Sequence, residues 1–159
     1  MKKQQLNVVW LKKDLRLRDH QSFDAAERSD LPYLTVYFFE PELLAHPATS
    51  KRHLQFIYGS IKVMNESMRA FNQQSIIMHC NAVEGFQSIL NQFEVKKVFS
   101  YQESGVQVTW NRDKVIKKLF DSVGVVWQEF QRDAIVRGIK NRNGWDKMWN
   151  ETMSEEPIK

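Results

Sequence analysis

The chain of 159 residues contains only one cysteine, four histidines, four prolines and six glycines. A single cysteine, Cys80, excludes an internal disulfide and is typical of a reducing compartment, so we expect a cytoplasmic protein. No two histidines stand three or four residues apart, and this spacing predicts no metal site. No apolar run approaches the ~20 residues of a membrane span, and none resembles a secretory signal, so we expect no membrane partner.

The amino-terminal third of the chain has no glycine, because the first one is Gly59. Dinucleotide-binding turns and phosphate loops both need glycines directly after the first strand, so neither can occur there. The sequence also lacks the G-x-S-x-G elbow of many hydrolases. A net charge of +4 favours polyanions only weakly, and 42% hydrophobic residues predict one ordinary globular domain.

Short apolar runs alternate with amphipathic stretches along most of the chain. The runs predict five strands, at 8–11, 34–39, 75–79, 96–101 and 125–130. The stretches between them predict helices at 21–28, 50–71, 81–93 and 108–123, with Asp19 capping the first helix and Phe71 ending the buried stripe of the second. This order predicts an α/β, doubly wound, Rossmann-like fold: a five-stranded parallel sheet with helices on both faces.

A loop of alternating charge, residues 12–19, follows the first strand. Ligands of open parallel sheets bind outside the carboxyl ends of the strands. Loops 12–18, 40–50 and 102–105 would therefore wall a crevice suited to a planar organic ligand. The charges of the first loop have two explanations at this stage: they contact a ligand, with Asp14 holding Arg16 in place, or they lock the loop by pairing with one another.

The alternation of strands and helices stops after Phe130. Residues 137–149 hold four basic residues against one acidic residue and include Trp145 and Trp149, and a glutamate-rich tail follows. This segment has no strand of its own to cover. It either wraps back on the domain or docks on a partner, and the two tryptophans favour the partner.

Several segments resemble the amino-terminal domain of the photolyase and cryptochrome family. The first is V-V-W-L-K-K-D-L-R-L-R-D at 8–19, which is similar to that family's opening signature. Four further segments agree in the same order, at 37–44, 50–56, 102–105 and 112–113. The resemblance covers essentially the whole chain, and the first motif is the most specific part of it.

The resemblance implies a division of the chain into two parts. Residues 1–136 would form the α/β antenna domain, which in the family often holds a light-harvesting pigment: a folate, a deazaflavin or a flavin. Residues 137–159 would begin the linker to a helical domain that binds FAD and damaged DNA. That domain would be the partner of this one, and DNA would be reached only through it. The activity implied for the whole protein is light-dependent repair of pyrimidine dimers by a lyase, or blue-light sensing, and this part alone would have no catalytic residues.

The resemblance also implies pigment contacts by His46 and Glu103. The strand-end crevice adds further candidates, with lysines for an anionic pigment tail and aromatic rings for the walls: Lys12, Lys13, Asp14, Phe39, Glu40 and Tyr101.

Two alternatives belong to other functional classes. A stand-alone nucleotide-binding module of the universal-stress type shares the doubly wound topology, but it expects a glycine-rich phosphate loop late in the chain, and residues 102–124 contain none. A protein-interaction module would instead use Trp145 and Trp149 to grip a helical partner.

Overall fold

A computed structural model of the chain describes residues 2–131 and 140–158. The expected domain boundary between residues 136 and 137 lies outside the described residues. Within the described parts of the chain, no helix is long and apolar enough to cross a membrane.

The strands and helices alternate as the sequence predicts. The strands are β1 (Gln5–Leu11), β2 (Tyr33–Phe38), β3 (Ser75–Met78), β4 (Glu94–Tyr101) and β5 (Val126–Phe130). The helices are α1 (Gln21–Glu27), α2 (Pro41–Leu44), α3 (Lys51–Met68), α4 (Ala82–Gln92), α5 (Gln107–Val123) and α6 (Trp145–Met153), and a 3-10 turn (Arg69–Phe71) follows α3. The strands form one parallel sheet in the order β3-β2-β1-β4-β5. The predicted fold class is therefore confirmed.

The central strand β1 is covered on both faces, so its residues supply two hydrophobic cores. Val8 and Trp10 pack with residues of α4 and α5, whereas Val9 and Leu11 pack with residues of α1 and α3. The Trp10 ring lies at the centre of the first core, with ring centroids 5.1 Å from Phe86, 5.7 Å from Trp127 and 6.1 Å from Phe38.

Local chemistry marks two helix ends, whereas the predicted cap of a third helix is not the observed one. The Asn81 side chain accepts a hydrogen bond from the backbone N–H of Glu84 at the start of α4, and Gly124 ends α5 with φ at 73°. The predicted cap of α1 was wrong, because His20 rather than Asp19 holds that position and its Nδ1 accepts from the Phe23 N–H. Asp19 instead turns the chain just before the helix, with φ at 52°.

The prediction for Phe71 was also wrong. This side chain is 77% exposed rather than buried. The α-helix ends at Met68, and the 3-10 turn that follows has three residues per turn, so Phe71 leaves the stripe that buries Ile61, Met64 and Met68.

A bulge interrupts the pairing of β1 with β4, since Leu6 pairs with Val95 but Val8 pairs with Val98. The fully buried side chain of Asn7 lies at this bulge. Its Oδ1 accepts from the Lys97 N–H at 3.1 Å, and its Nδ2 donates to the Ser29 hydroxyl at 2.8 Å. Asn7 thus satisfies the backbone donor that the bulge removes from the ladder.

Candidate functional site

The carboxyl ends of four strands converge on a group of charged side chains. Lys12 and Lys13 follow β1, Glu40 follows β2, Glu103 follows β4, and Glu129 lies on β5, while α5 adds two more residues. We call this group the Arg112 cluster: Lys12, Lys13, Glu40, Glu103, Arg112, Asp113 and Glu129.

Arg112 is the hub of this cluster. Its Nη1 donates to Glu40 Oε1 at 2.6 Å, and its Nη2 donates to Glu103 Oε2 at 2.6 Å and to Asp113 Oδ1 at 2.8 Å. The guanidinium carbon lies 4.9 Å from the centroid of the Trp10 ring. Burial alone would lower the pKa of Arg112, but Asp113, Glu103 and Glu40 outweigh it and raise the pKa. The guanidinium is therefore a permanently charged group held by three acids.

Lys12 is the second buried cation. Its Nζ lies 3.2 Å from Asp113 Oδ2 and 3.9 Å from Glu129 Oε1, and 4.3 Å from the centroid of the Trp10 ring. Burial lowers the pKa of Lys12, although Asp113 partly offsets this effect. Lys13 differs because its side chain is 56% exposed, and its Nζ lies 3.5 Å from Glu103 Oε1.

Asp14 and Tyr101 shape the β1–α1 loop beside the cluster. Asp14 accepts from the Lys12 N–H through Oδ1 and lies 2.8 Å from His20 Nε2 through Oδ2. The Tyr101 hydroxyl accepts from the Gln21 N–H, and its ring packs 5.0 Å from the His20 ring. These contacts hold the β1–α1 loop in place from its buried side.

The suggested pairing of the Asp14 and Arg16 side chains was wrong. The Arg16 side chain donates to the Asp19 and Arg18 carbonyls, and its Nη2 lies 3.4 Å from Asp19 Oδ2. Pairing does lock the loop, but with different partners.

The structure brings four of the eight predicted site residues into the cluster, namely Lys12, Lys13, Glu40 and Glu103. Phe39 packs against the core on the α1 and α3 face of the sheet, with its ring centroid 5.0 Å from that of Tyr37. His46 stays in the loop after α2, where its Nδ1 accepts from the Ala48 N–H. The structure therefore does not bring Phe39 and His46 together with the rest.

Three members of the cluster were not among the predicted site residues: Arg112, Asp113 and Glu129. Asp113 stands on the buried face of α5 with Thr109, Ile116 and Phe120, at spacings of four, three and four residues. An acid on a buried helical face needs a cation, and this pattern could have indicated an ion pair.

The predicted crevice has almost no free volume where the β1–α1 loop faces residues 101–104. The space lined by Lys12, Lys13, Asp14, Tyr101 and Glu103 measures about 10 Å³. One water molecule needs at least that much, and organic ligands occupy roughly 300–1,000 Å³. The three cations of the cluster, Lys12, Lys13 and Arg112, also each pair with an acid already. The residues of the cluster therefore do not fit a light-harvesting pigment.

A larger opening lies on the outer side of the same loop. It is an open groove of about 530 Å³ between the β1–α1 loop and α3. We call it the α3 groove and define it by its lining: Leu15, Arg16, Leu17, Gln55, Phe56, Gly59, Ser60, Val63, Met64 and Ser67. Phe56 is 72% exposed and Val63 is 61% exposed, so apolar surface faces solvent here.

Helix α6 carries a second apolar surface. The rings of Trp145 and Trp149 lie 6.4 Å apart, and Trp149 and Met153 are partly exposed. After this helix the Ile158 N–H donates to Asp19 Oδ1, so the end of the chain lies beside the β1–α1 loop.

Comparison with known sequences identifies the family. The family profile described as DNA photolyase matches residues 7–147. The chain belongs to the DNA photolyase family. It corresponds to the amino-terminal α/β domain of that family, as the resemblance implied, and the universal-stress alternative is not favoured.

Relatives in the DNA photolyase family include Cryptochrome-2 of Gallus gallus, which is 23% identical over 119 residues, or 75% of this chain and 20% of that protein. The fold is shared with a cryptochrome from Synechocystis sp. PCC6803, at a TM-score of 0.81 and 19% identity over 99% of this chain. An archaeal photolyase from Sulfolobus tokodaii, solved with two FAD molecules, has a TM-score of 0.74 at 18% identity over 96% of this chain. This chain spans 36% and 35% of these two solved chains, respectively.

Proposed function

We propose that this chain is the amino-terminal scaffold of a photolyase-like or cryptochrome-like flavoprotein, and that the α3 groove receives a helical domain that binds FAD. Family membership supports the first part of this proposal. The two solved relatives are each nearly three times as long as this chain, which supports the presence of a further domain in the working protein.

The observation that carries the proposed docking is the exposed apolar surface of the α3 groove. Leu17, Phe56 and Val63 line it and are each at least 36% exposed. Gly59 has open space where a side chain would stand, so a partner can approach the backbone of α3 closely. Burying these side chains would stabilise a contact by roughly 25 cal/mol for each Å² removed from water.

The position of the chain end agrees with this docking surface. Ile158 is held by Asp19, on the same loop that contributes Arg16 and Leu17 to the groove. A domain linked through this end would be tethered near the groove, which raises its effective concentration there.

The chemistry in this proposal belongs to the partner domain. FAD bound there would supply light-driven electron transfer, and contact with damaged DNA would also go through that domain. The α/β domain would position the partner, and its own charged groups would form structure rather than take part in a reaction.

The first experiment identifies the native product. We would place an affinity tag at the amino terminus of the gene in its source organism, purify the product, and measure its mass and its oxidised-flavin absorbance. We expect a protein longer than 159 residues that carries FAD. A product that ends at Lys159 and carries no flavin, alone or with a co-purifying partner, would reject the proposal.

The second experiment tests the groove in that native product. Phe56→Asp places a charge in the α3 groove and should increase hydrogen exchange of α3 and of the partner surface that covers it. Tyr58→Asp is the matched control, because Tyr58 is 65% exposed on the same helix but does not line the groove. Equal effects of the two substitutions would contradict docking at this surface.

A further inference from the structure

The guanidinium of Arg112 occupies the strand-end crevice in which the sequence predicts a ligand. It is a flat cation lying over the Trp10 ring, with acids from β2, β4 and α5 around its edge. Its side chain is only 9% exposed. A flat group between an aromatic face and converging polar partners is also how a bound planar ligand is held.

A pigment that enters this crevice must displace Arg112. Three short charge-assisted hydrogen bonds would break, and Glu40, Glu103 and Asp113 would lose their shared cation. An anionic pigment tail would then face the carboxylates of Glu40, Glu103 and Asp113, and the exposed cation Lys13 already pairs with Glu103. Both effects oppose binding.

We propose that Arg112 is the built-in occupant of the strand-end crevice, so that this domain holds no light-harvesting pigment there. Shortening Arg112 should create a pocket that prefers small planar cations. This inference concerns only residues of this chain and is independent of the proposed docking of a helical domain.

Arginine is specific for this role because of its shape. Its planar fork reaches Glu40, Glu103 and Asp113 at once while lying over Trp10. A lysine would bring one compact ammonium and could not bridge the three acids in the same plane.

The first test is chemical rescue of Arg112→Ala. We expect this substitution to lower the melting temperature by about 10 °C, because it removes the shared partner of buried acids. Low millimolar methylguanidinium chloride should then raise the melting temperature saturably, whereas sodium chloride at equal ionic strength should not. The wild type and Arg28→Ala are controls, since Arg28 is exposed and, among the residues that the structure describes, pairs only with Asp24. They should show no rise. A folded Arg112→Ala protein that methylguanidinium does not stabilise would overturn the inference.

The second test needs no destabilised variant. The wild-type chain is titrated with methenyltetrahydrofolate, a deazaflavin, FMN and FAD, and tryptophan fluorescence is recorded. We expect no saturable quenching that depends on Glu103. Saturable binding that is lost in Glu103→Gln but kept in Phe56→Asp would place the pigment in the crevice and overturn the inference. Binding that is lost only in Phe56→Asp would place it in the α3 groove and leave the crevice closed.

Discussion

Helix α4 approaches the sheet closely at Gly85. A Cβ atom added there would lie 2.2 Å from Cε1 of the Phe38 ring and within 3 Å of two further ring atoms. Phe38 is 5% exposed and its ring packs against Phe86 and Trp10, so it cannot simply swing into solvent. We predict that Gly85→Ala destabilises the domain.

Two opposing effects set the size of this change. Alanine in a helix is favoured over glycine by about 0.8–1.0 kcal/mol. Overpacking a close-packed core costs typically ~1–3 kcal/mol and occasionally more, and a contact of 2.2 Å lies at the severe end. The net loss should therefore be about 1–2 kcal/mol. For a domain of this size that corresponds to a melting temperature lower by roughly 2–8 °C.

A matched glycine provides the control. Gly59 lies inside α3, and a Cβ atom there would meet nothing within 4 Å. Gly59→Ala should thus gain the helix propensity without the clash and stabilise the domain by up to ~1 kcal/mol. Both variants are compared by urea unfolding monitored by tryptophan fluorescence.

A third variant tests the cause of the clash. Combining Gly85→Ala with Phe38→Leu makes room for the new methyl group, so the two changes together should cost less than the sum of their separate costs. A Gly85→Ala protein as stable as Gly59→Ala would refute the packing argument. If the costs of the two substitutions were strictly additive, Phe38 would not be the side chain that clashes with the alanine methyl group.

Two further predictions concern buried polar groups. Burial, aided by nearby carboxylates, raises the pKa of Tyr37 to about 12. Between pH 10 and 12 the unfolded chain loses this phenol proton while the folded chain keeps it, so stability falls as pH rises. Wild type should lose about 2–3 kcal/mol relative to Tyr37→Phe over that range, measured by urea unfolding at several pH values. Asn7→Ala leaves the Lys97 N–H without its side-chain acceptor and should cost about 1–3 kcal/mol by the same assay. The exposed Asn111→Ala is its control, and an equal cost in both variants would contradict the role of Asn7 at the bulge.

Much of the fold could be predicted from the sequence because each element carries its own local signal. The run Val8–Leu11 is apolar on both faces, which indicates a central strand, and that strand pairs on both sides in the structure. Asn81 and Gly124 mark helix ends through side-chain and backbone chemistry that operates within a few residues. Such local signals can be recognised in the sequence without knowledge of the tertiary structure.

The candidate site could be predicted only in part because its chemistry depends on distant residues. Glu40 and Glu103 were identified as strand-end residues, but the cation that joins them lies on α5, nine residues after Glu103. Nothing in the loops indicates that Arg112 folds back between them and closes the crevice. Helix α6 was missed for a different reason. Within the described residues no strand follows it, so the alternation that revealed the other helices gives no signal there.

Buried ion pairs contribute little to stability, because the free-energy cost of removing two charges from water can be as large as the gain from their attraction. The Arg112 cluster is better explained by the geometry that it imposes. Lys12 and Asp14 hold the inner side of the β1–α1 loop, while Arg16 and Leu17 on its outer side line the α3 groove. A loop that was free on its inner side would present this surface in many arrangements, and a partner would have to order it on binding. The closed crevice and the exposed groove are thus two sides of one rigid loop, and the charges that exclude a ligand preorganise the surface proposed to bind a domain.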